Sequence, residues 1–190
     1  MDKETLRNQF LNKMASLSTG ELEDKSQSIA AQLFQNFEIG TQEAIHIFLS
    51  IARHNELNTF HIINRMLKDF PQVKIGVPKS DFKALTMTSY EYTLDSKMKI
   101  NKLGIPEPQN GRVILPEEYT MVLVPLLCFD ENGYRVGYGK GFYDRYLKQM
   151  NSKTIKIGLS LFPPVKLISD TSDWDVKLDF CITPEQIFKF

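Results

Sequence analysis

The chain has 190 residues, 42% of them hydrophobic, with 23 lysines and arginines against 23 aspartates and glutamates and a formal net charge of zero. That is enough to bury a core as a single domain over residues 1–190, and it lacks the basic excess that nucleic acid or an anionic membrane calls for, so a small polar substrate is the expected partner. The longest apolar run, Met121 to Cys128, is broken at Pro125 and is too short to span a membrane.

The opening Met-Asp-Lys-Glu-Thr-Leu-Arg lacks the apolar centre of a secretory signal, which predicts a cytoplasmic protein. Leu6, Phe10, Leu11, Met14 and Leu17 recur at helical spacing, and Ser18 with Glu21 has the form of a capping box opening a second helix through about Phe37. Ala44 to Ser50 reads as a buried strand, Leu57 to Lys68 as a helix with Phe60, Ile63 and Leu67 inward, and Val73 to Val77 as a strand stopped by Pro78. These make a βαβ unit. Leu85 to Leu94 suggests paired short strands, and Gly104-Ile-Pro-Glu-Pro108 a rigid non-helical turn. Met121 to Val124, a helix from Phe142 to Met150 and Lys153 to Gly158 form another βαβ unit, with Phe180 to Thr183 as the final strand. The sum is an α/β fold with an open, mostly parallel sheet and helices on both faces. No large apolar stripe is left over, so a monomer is expected.

The two cysteines, Cys128 and Cys181, sit in apolar strand contexts and read as buried thiols. His46, His54 and His61 form no zinc-ligand spacing. The informative stretch is the apolar run ending at Pro125, followed by the alternate glycines Gly137, Gly139 and Gly141 leading into a helix through Lys140 and Asp144. Glycine lets backbone N–H groups approach an anion closely, and a helix start favours negative charge, so a phosphate is the expected ligand. The segment is neither common nucleotide signature. Gly141 stands where a P-loop needs a hydroxyl, and Phe142 where the dinucleotide pattern needs a glycine. A turn that merely joins strand to helix is the alternative, and Lys140 and Arg135 argue against it.

Lys3-x-x-x-Arg7, Leu49-Ser50 followed by Glu56-Leu-Asn-Thr59, Gly104-Ile-Pro-Glu-Pro108, Val124-Pro-x-x-x-Phe-Asp130, Arg135-Val-Gly-Tyr-Gly-Lys-Gly-Phe-Tyr-Asp144 and Asp179 occur in this order over nearly the whole chain. Together they resemble the 5-formyltetrahydrofolate cyclo-ligase family, also called 5,10-methenyltetrahydrofolate synthetases. The resemblance implies a three-layer αβα fold of the NagB/RpiA/CoA transferase-like kind. It implies ATP and Mg2+ as cofactors and a reduced folate as substrate, cyclised from 5-formyltetrahydrofolate to 5,10-methenyltetrahydrofolate with release of ADP and phosphate. It further implies that Gly137, Tyr138, Gly139, Lys140, Gly141, Phe142 and Tyr143 wrap the nucleotide with Lys3 and Arg7. Lys140 and Arg135 would be catalytic, Leu49, Glu56 and Tyr143 would hold the folate, and Asp144 and Asp179 would hold the metal.

Taken without the resemblance, the same residues have plainer readings. Asp144 is a first-turn partner of the helix dipole, Asp179 a strand-edge carboxylate, and Lys3 and Arg7 solvated charges on one helical face. Glu56 is then a helix-start carboxylate, and Phe142 and Tyr143 are ring stackers or core. The chemistry itself asks for little from the protein beyond positioning and charge neutralisation, which fits the absence of a nucleophilic triad. Two other classes use the same architecture: a sugar-phosphate or acyl-CoA isomerase or transferase needing no ATP, and a module that binds a phosphorylated metabolite without turnover.

Overall fold

The computed structural model describes residues 1–40, 43–51, 54–101 and 104–190. Two helices open the chain. Helix α1 (Lys3–Ala15) is capped by the Asp2 carboxylate, which accepts the Thr5 N–H at 2.8 Å, and buries Leu6, Phe10 and Met14. Helix α2 (Thr19–Asn36) carries the expected capping box: Glu21 N–H donates to Ser18 Oγ at 3.2 Å, and Ser18 N–H donates to Glu21 Oε2 at 2.9 Å. Among the described residues no helix is long and apolar enough to cross a membrane.

Strand β1 (Ala44–Ile47) leads into helix α3 (Phe60–Asp69) and strand β2 (Lys74–Asp81). A hairpin returns as β3 (Thr86–Glu91), and a small antiparallel pair follows, β4 (Met98–Ile100) with β5 (Pro106–Pro108). Next come β6 (Val113–Ile114), β7 (Met121–Pro125), and the short pair β8 (Cys128–Phe129) and β9 (Arg135–Val136). Helix α4 (Phe142–Leu147), β10 (Ile155–Leu159), β11 (Phe180–Ile182) and β12 (Ile187–Lys189) complete the order.

Eight strands form one sheet in the order β12-β11-β10-β7-β1-β2-β3-β6. Its middle, from β11 to β2, is parallel, whereas β12, β3 and β6 add antiparallel edges. Alternation along the strands separates two cores. Ile45, Ile47, Met121, Leu123, Ile157 and Leu159 face α1, α2 and α3, and Val122, Val124 and Cys181 face the side covered by Tyr146 and Leu147 of α4. Helices thus lie on both faces, as the sequence pattern predicts, though three are on one side and a short one on the other.

Several elements differ from the sequence reading. Pro78 does not stop β2; it pairs with Ser89 inside the strand. Tyr92 N–H bonds Ile75 O on the β3 side and Ser80 N–H bonds Glu107 Oε1 on the other, so alternation points Pro78's missing donor away from β3, past the last β1 pairing at Gly76. Helix α3 starts at Phe60, and its buried residues are Ile62, Ile63 and Met66, with Phe60 and Leu67 only partly covered. The reason is local. Ser50 Oγ bonds Leu57 O and accepts Thr59 N–H at 2.8 Å, while Thr59 Oγ1 donates to Phe48 O at 2.9 Å, which holds residues 57–59 against the end of β1. Part of the 104–108 turn is strand β5, Leu85 to Leu94 yields the single strand β3, and β12 follows the strand expected to be last. Helix α4 ends at Leu147 because Gln149 and Met150 donate three residues back, to Tyr146 O and Leu147 O, tightening the last turn.

Packing on the α4 side is tight at Gly158, where a Cβ would stand 2.6 Å from both Leu126 Cδ2 and Leu178 Cδ1. Gly158→Ala should cost about 1–3 kcal/mol, whereas Gly20→Ala, in the first turn of α2 with nothing within 4 Å, should gain about 0.5 kcal/mol. Urea midpoints should therefore move in opposite directions; a Gly158→Ala midpoint equal to wild type would contradict this packing.

Candidate active site

A cavity of about 540 Å3 opens at the carboxyl edge of the parallel strands, reached by Phe48 and Leu49 after β1, Pro78 and Ser80 of β2, and Pro125 of β7. β1 has β7 on one side and β2 on the other, so the cavity lies where the strand order reverses, the usual ligand edge of an open α/β sheet. Its remaining walls come from Lys3 and Arg7 of α1, the 137–141 loop, the start of α4, and Asp175. A second hollow of about 520 Å3, between β2 and the β4–β5 pair, brings none of the loop's cations to it.

The loop leaves β9 and enters α4, and its base is closed by an ion pair. Arg135 Nη2 donates to Asp144 Oδ1 at 2.7 Å, and Asp144 Oδ1 also accepts Val176 N–H at 3.1 Å, while Arg135 Nη1 bonds Val176 O. Arg135 is 8% exposed, and burial pulls its pKa down while Asp144 opposes that pull. Upstream, the buried Asp130 carboxylate accepts the N–H groups of Asn132, Tyr134 and Ile168 at 3.0 Å each and shapes the β8–β9 turn. Gly139 (φ 87°) and Gly141 (φ 65°) are in left-handed conformations that ordinary residues avoid. Arg7 Nε donates to Gly137 O at 3.0 Å, and its guanidinium lies 3.1 Å from where a Gly139 Cβ would be. Lys3 Nζ bonds both Asp175 oxygens at 2.6 Å. Lys140 is exposed, and its ammonium enters no ion pair among the described residues.

The opposite wall is mixed. Glu56 is 8% exposed; its Oε1 accepts Tyr138 O–H at 2.9 Å and its Oε2 accepts Ile51 N–H at 2.8 Å. Burial raises the Glu56 carboxyl to about 7, against the lowering effect of those two bonds. Burial also raises the Tyr138 phenol, with the Glu56 charge adding to it. Phe142 packs edge-on against Phe82 at the β2–β3 tip, with ring centroids 5.1 Å apart. Tyr143 reaches beneath the cavity, its hydroxyl 3.1 Å from Nε2 of the fully buried His46.

Of the site residues expected from the sequence, all but Asp179 line this cavity. Asp179 precedes β11, at the opposite, amino edge of the sheet, where its Oδ2 accepts Lys156 N–H at 2.7 Å and Lys156 Nζ at 2.8 Å. It is a strand-edge carboxylate out of reach of the loop. Asp175, Phe82 and His46 are given no role at the site by the sequence reading. Only His46 had a visible signal, a polar ring in the otherwise apolar Ala-Ile-His-Ile strand. Trp174 is 75% exposed, with Lys148 Nζ 4.3 Å from its ring centroid, and so is a surface group.

A sequence model of the 5-formyltetrahydrofolate cyclo-ligase family matches residues 1–184. The 5-formyltetrahydrofolate cyclo-ligase of Mycoplasma pneumoniae is 30% identical over 188 residues, covering 97% of this chain and 100% of that protein. That of Escherichia coli K12 is 28% identical over 178 residues, 92% of this chain and 96% of that one. Two solved 5,10-methenyltetrahydrofolate synthetases share the fold. The Mycoplasma pneumoniae structure has a TM-score of 0.75 at 28% identity, covering 97% of this chain and 99% of its own. The Aquifex aeolicus structure has a TM-score of 0.78 at 26% identity, covering 100% and 93%. Sequence and backbone agree along almost the full length, and on that ground the chain belongs to the 5-formyltetrahydrofolate cyclo-ligase family.

Proposed function

We propose that the cavity takes ATP and 5-formyltetrahydrofolate together and closes the folate ring to 5,10-methenyltetrahydrofolate, releasing ADP and phosphate. The observation that carries this reading is the meeting of four cations, Lys3, Arg7, Arg135 and Lys140, around a loop of left-handed glycines, beside a wall with an apolar lining and one buried carboxyl. Relatives described as cyclo-ligases and synthetases of this reaction support it.

The formyl oxygen is a poor leaving group at neutral pH. Transfer of the γ-phosphoryl group onto it forms a phosphorylated imidate, nitrogen 10 attacks the same carbon, and inorganic phosphate departs. Such a transfer rests on positioning and electrostatics. Lys3, Arg7 and Arg135 are held in place by Asp175, Gly137 O and Asp144, whereas Lys140 has its ammonium available for the terminal phosphate. Among the described residues there is no cluster of three metal-ligating side chains, and Asp144 is already paired with Arg135. Asp144 is the carboxylate at the loop that would hold a magnesium ion bound together with the triphosphate. When bound, the ion would neutralise phosphate charge. Leu49 and Tyr143 would flank the folate, and Glu56, poised near neutrality, would accept a folate N–H and the proton that nitrogen 10 gives up.

Purified protein mixed with 5-formyltetrahydrofolate, ATP and magnesium should develop the near-ultraviolet band of the methenyl product. A band that forms equally without ATP would remove the reading. Because Lys140 is exposed, Lys140→Ala should leave thermal unfolding unchanged yet lower kcat/KM by about a hundredfold or more; wild-type kinetics would move the site elsewhere.

Glu56 also makes a stability prediction. Its folded pKa of about 7 lies above the ordinary 4.5, so between those values the folded state holds the proton that the unfolded state has lost, and stability falls as pH rises through the window. The loss should total roughly 3 kcal/mol. Glu56→Gln should abolish this slope between pH 4.5 and 7 in urea unfolding; parallel curves for the two proteins would place the Glu56 pKa near its ordinary value.

A further inference from the structure

Arg145 is exposed on α4 and does not line the cavity, yet its guanidinium holds two backbone carbonyls from distant parts of the chain. Nε donates to Leu85 O at 2.8 Å, and Nη2 donates to Lys140 O at 2.7 Å. The direction of both bonds is fixed, because a guanidinium can only donate and a carbonyl can only accept. Leu85 belongs to the β2–β3 tip and Lys140 to the glycine loop. Both segments wall the cavity, the first through Phe82 and the second through residues 137–141. One side chain outside the site therefore bridges two of its walls, beside the edge-on contact of Phe82 with Phe142.

The backbone on either side is shaped for this bridge. At Gly141 a Cβ would stand 2.9 Å from Arg145 Nη1, so a larger residue there would crowd the guanidinium. Leu85 has φ 54°, a left-handed conformation costly for a leucine, and the carbonyl it presents is the one Arg145 holds. Asp81 Oδ1 closes the same tip by accepting the N–H groups of Lys83 at 2.8 Å and Ala84 at 3.0 Å. The Lys140–Gly141 peptide is planar and trans, so holding Lys140 O against Arg145 turns the Gly141 N–H away from the guanidinium. The loop is thus held at two carbonyls, Gly137 O by Arg7 and Lys140 O by Arg145, and the Lys140 side chain springs from between them. An exposed arginine contributes little to stability as a lone charge. Its two directed bonds fix the position of another residue.

We infer that Arg145 is a positioning residue: by latching the glycine loop to the β2–β3 tip it fixes the backbone from which Lys140 reaches the terminal phosphate. The ammonium stays mobile while its root does not. The kinetic consequence rests on the cyclo-ligase reading, and the latch itself does not.

Trypsin tests the latch without turnover, because both segments it joins carry an exposed lysine, Lys83 and Lys140. In native digests of the full-length protein followed by mass spectrometry, Arg145→Ala should speed cleavage of both the Lys83–Ala84 and Lys140–Gly141 bonds by about fivefold or more. A wild-type rate at either bond would overturn the inference. In the cyclisation assay Arg145→Ala should lower kcat by about tenfold, with KM for 5-formyltetrahydrofolate changed less than about threefold. In the Lys140→Ala background the same substitution should cost no more than about twofold. Equal losses in both backgrounds would mean that Arg145 acts independently of Lys140, and the proposal would fail. Wild-type protein without turnover would refute the cyclo-ligase reading, and the digests would still decide whether the latch exists.

Discussion

Arg135 and Asp144 are nine residues apart along the chain and 2.7 Å apart in space, and the glycine loop is suspended between them. That contact turns a run of three alternate glycines, which by itself has too much conformational freedom to hold one shape, into a cradle of defined span. Val176 ties both partners to a distant segment through its N–H and C=O, and Arg7 secures the rim by bonding Gly137 O. A buried ion pair is a weak source of net stability because desolvation offsets attraction. Its value here is registry: a guanidinium with this little exposure tolerates few positions, so β9 and α4 are locked relative to one another.

Helix α1 does two jobs with one face pattern. Leu6, Phe10 and Met14 anchor it to the core, and this anchoring carries Lys3 and Arg7 to the cavity. The cations reach the site on a rigid element, each steadied by a partner, so their ordering cost is met on folding and not when ligand binds. Lys140 is the exception, exposed on the loop itself. The division suits the phosphoryl transfer proposed above, which asks for fixed cations beside one that can move.

The sheet contributes the floor. Its two faces are packed differently: one against three helices by aliphatic side chains, the other partly by the polar file of His46, Ser89 and Tyr119 beneath Tyr143. Buried polar groups of this kind demand full pairing, and the pairing limits how each neighbour can point. Glu56 obeys the same logic on the opposite wall, where Tyr138 and Ile51 occupy its two oxygens.

Features written in adjacent residues were legible in the chain itself. The Ser18–Glu21 capping box, the apolar strand of β7, the glycine loop and the mostly parallel order each follow from short-range periodicity or backbone demand, whereas Lys3 and Arg7 are expected at the loop only through the family resemblance. What depended on partners far along the chain was not. Pro78 sits within a strand because β1 has ceased to pair beside it, α3 turns Met66 inward because Ser50 and Thr59 set its start, and Asp179 lies at the amino edge bound to Lys156. The sequence by itself determined the principal helices and central strands and marked the glycine loop as the candidate anion cradle, since those follow from side-chain period and glycine placement. Only the tertiary structure decided which carboxylate joins that loop, which one is buried to a pKa near 7, and that a histidine stands under the site, because burial and long-range pairing are properties of neighbours that no local pattern records.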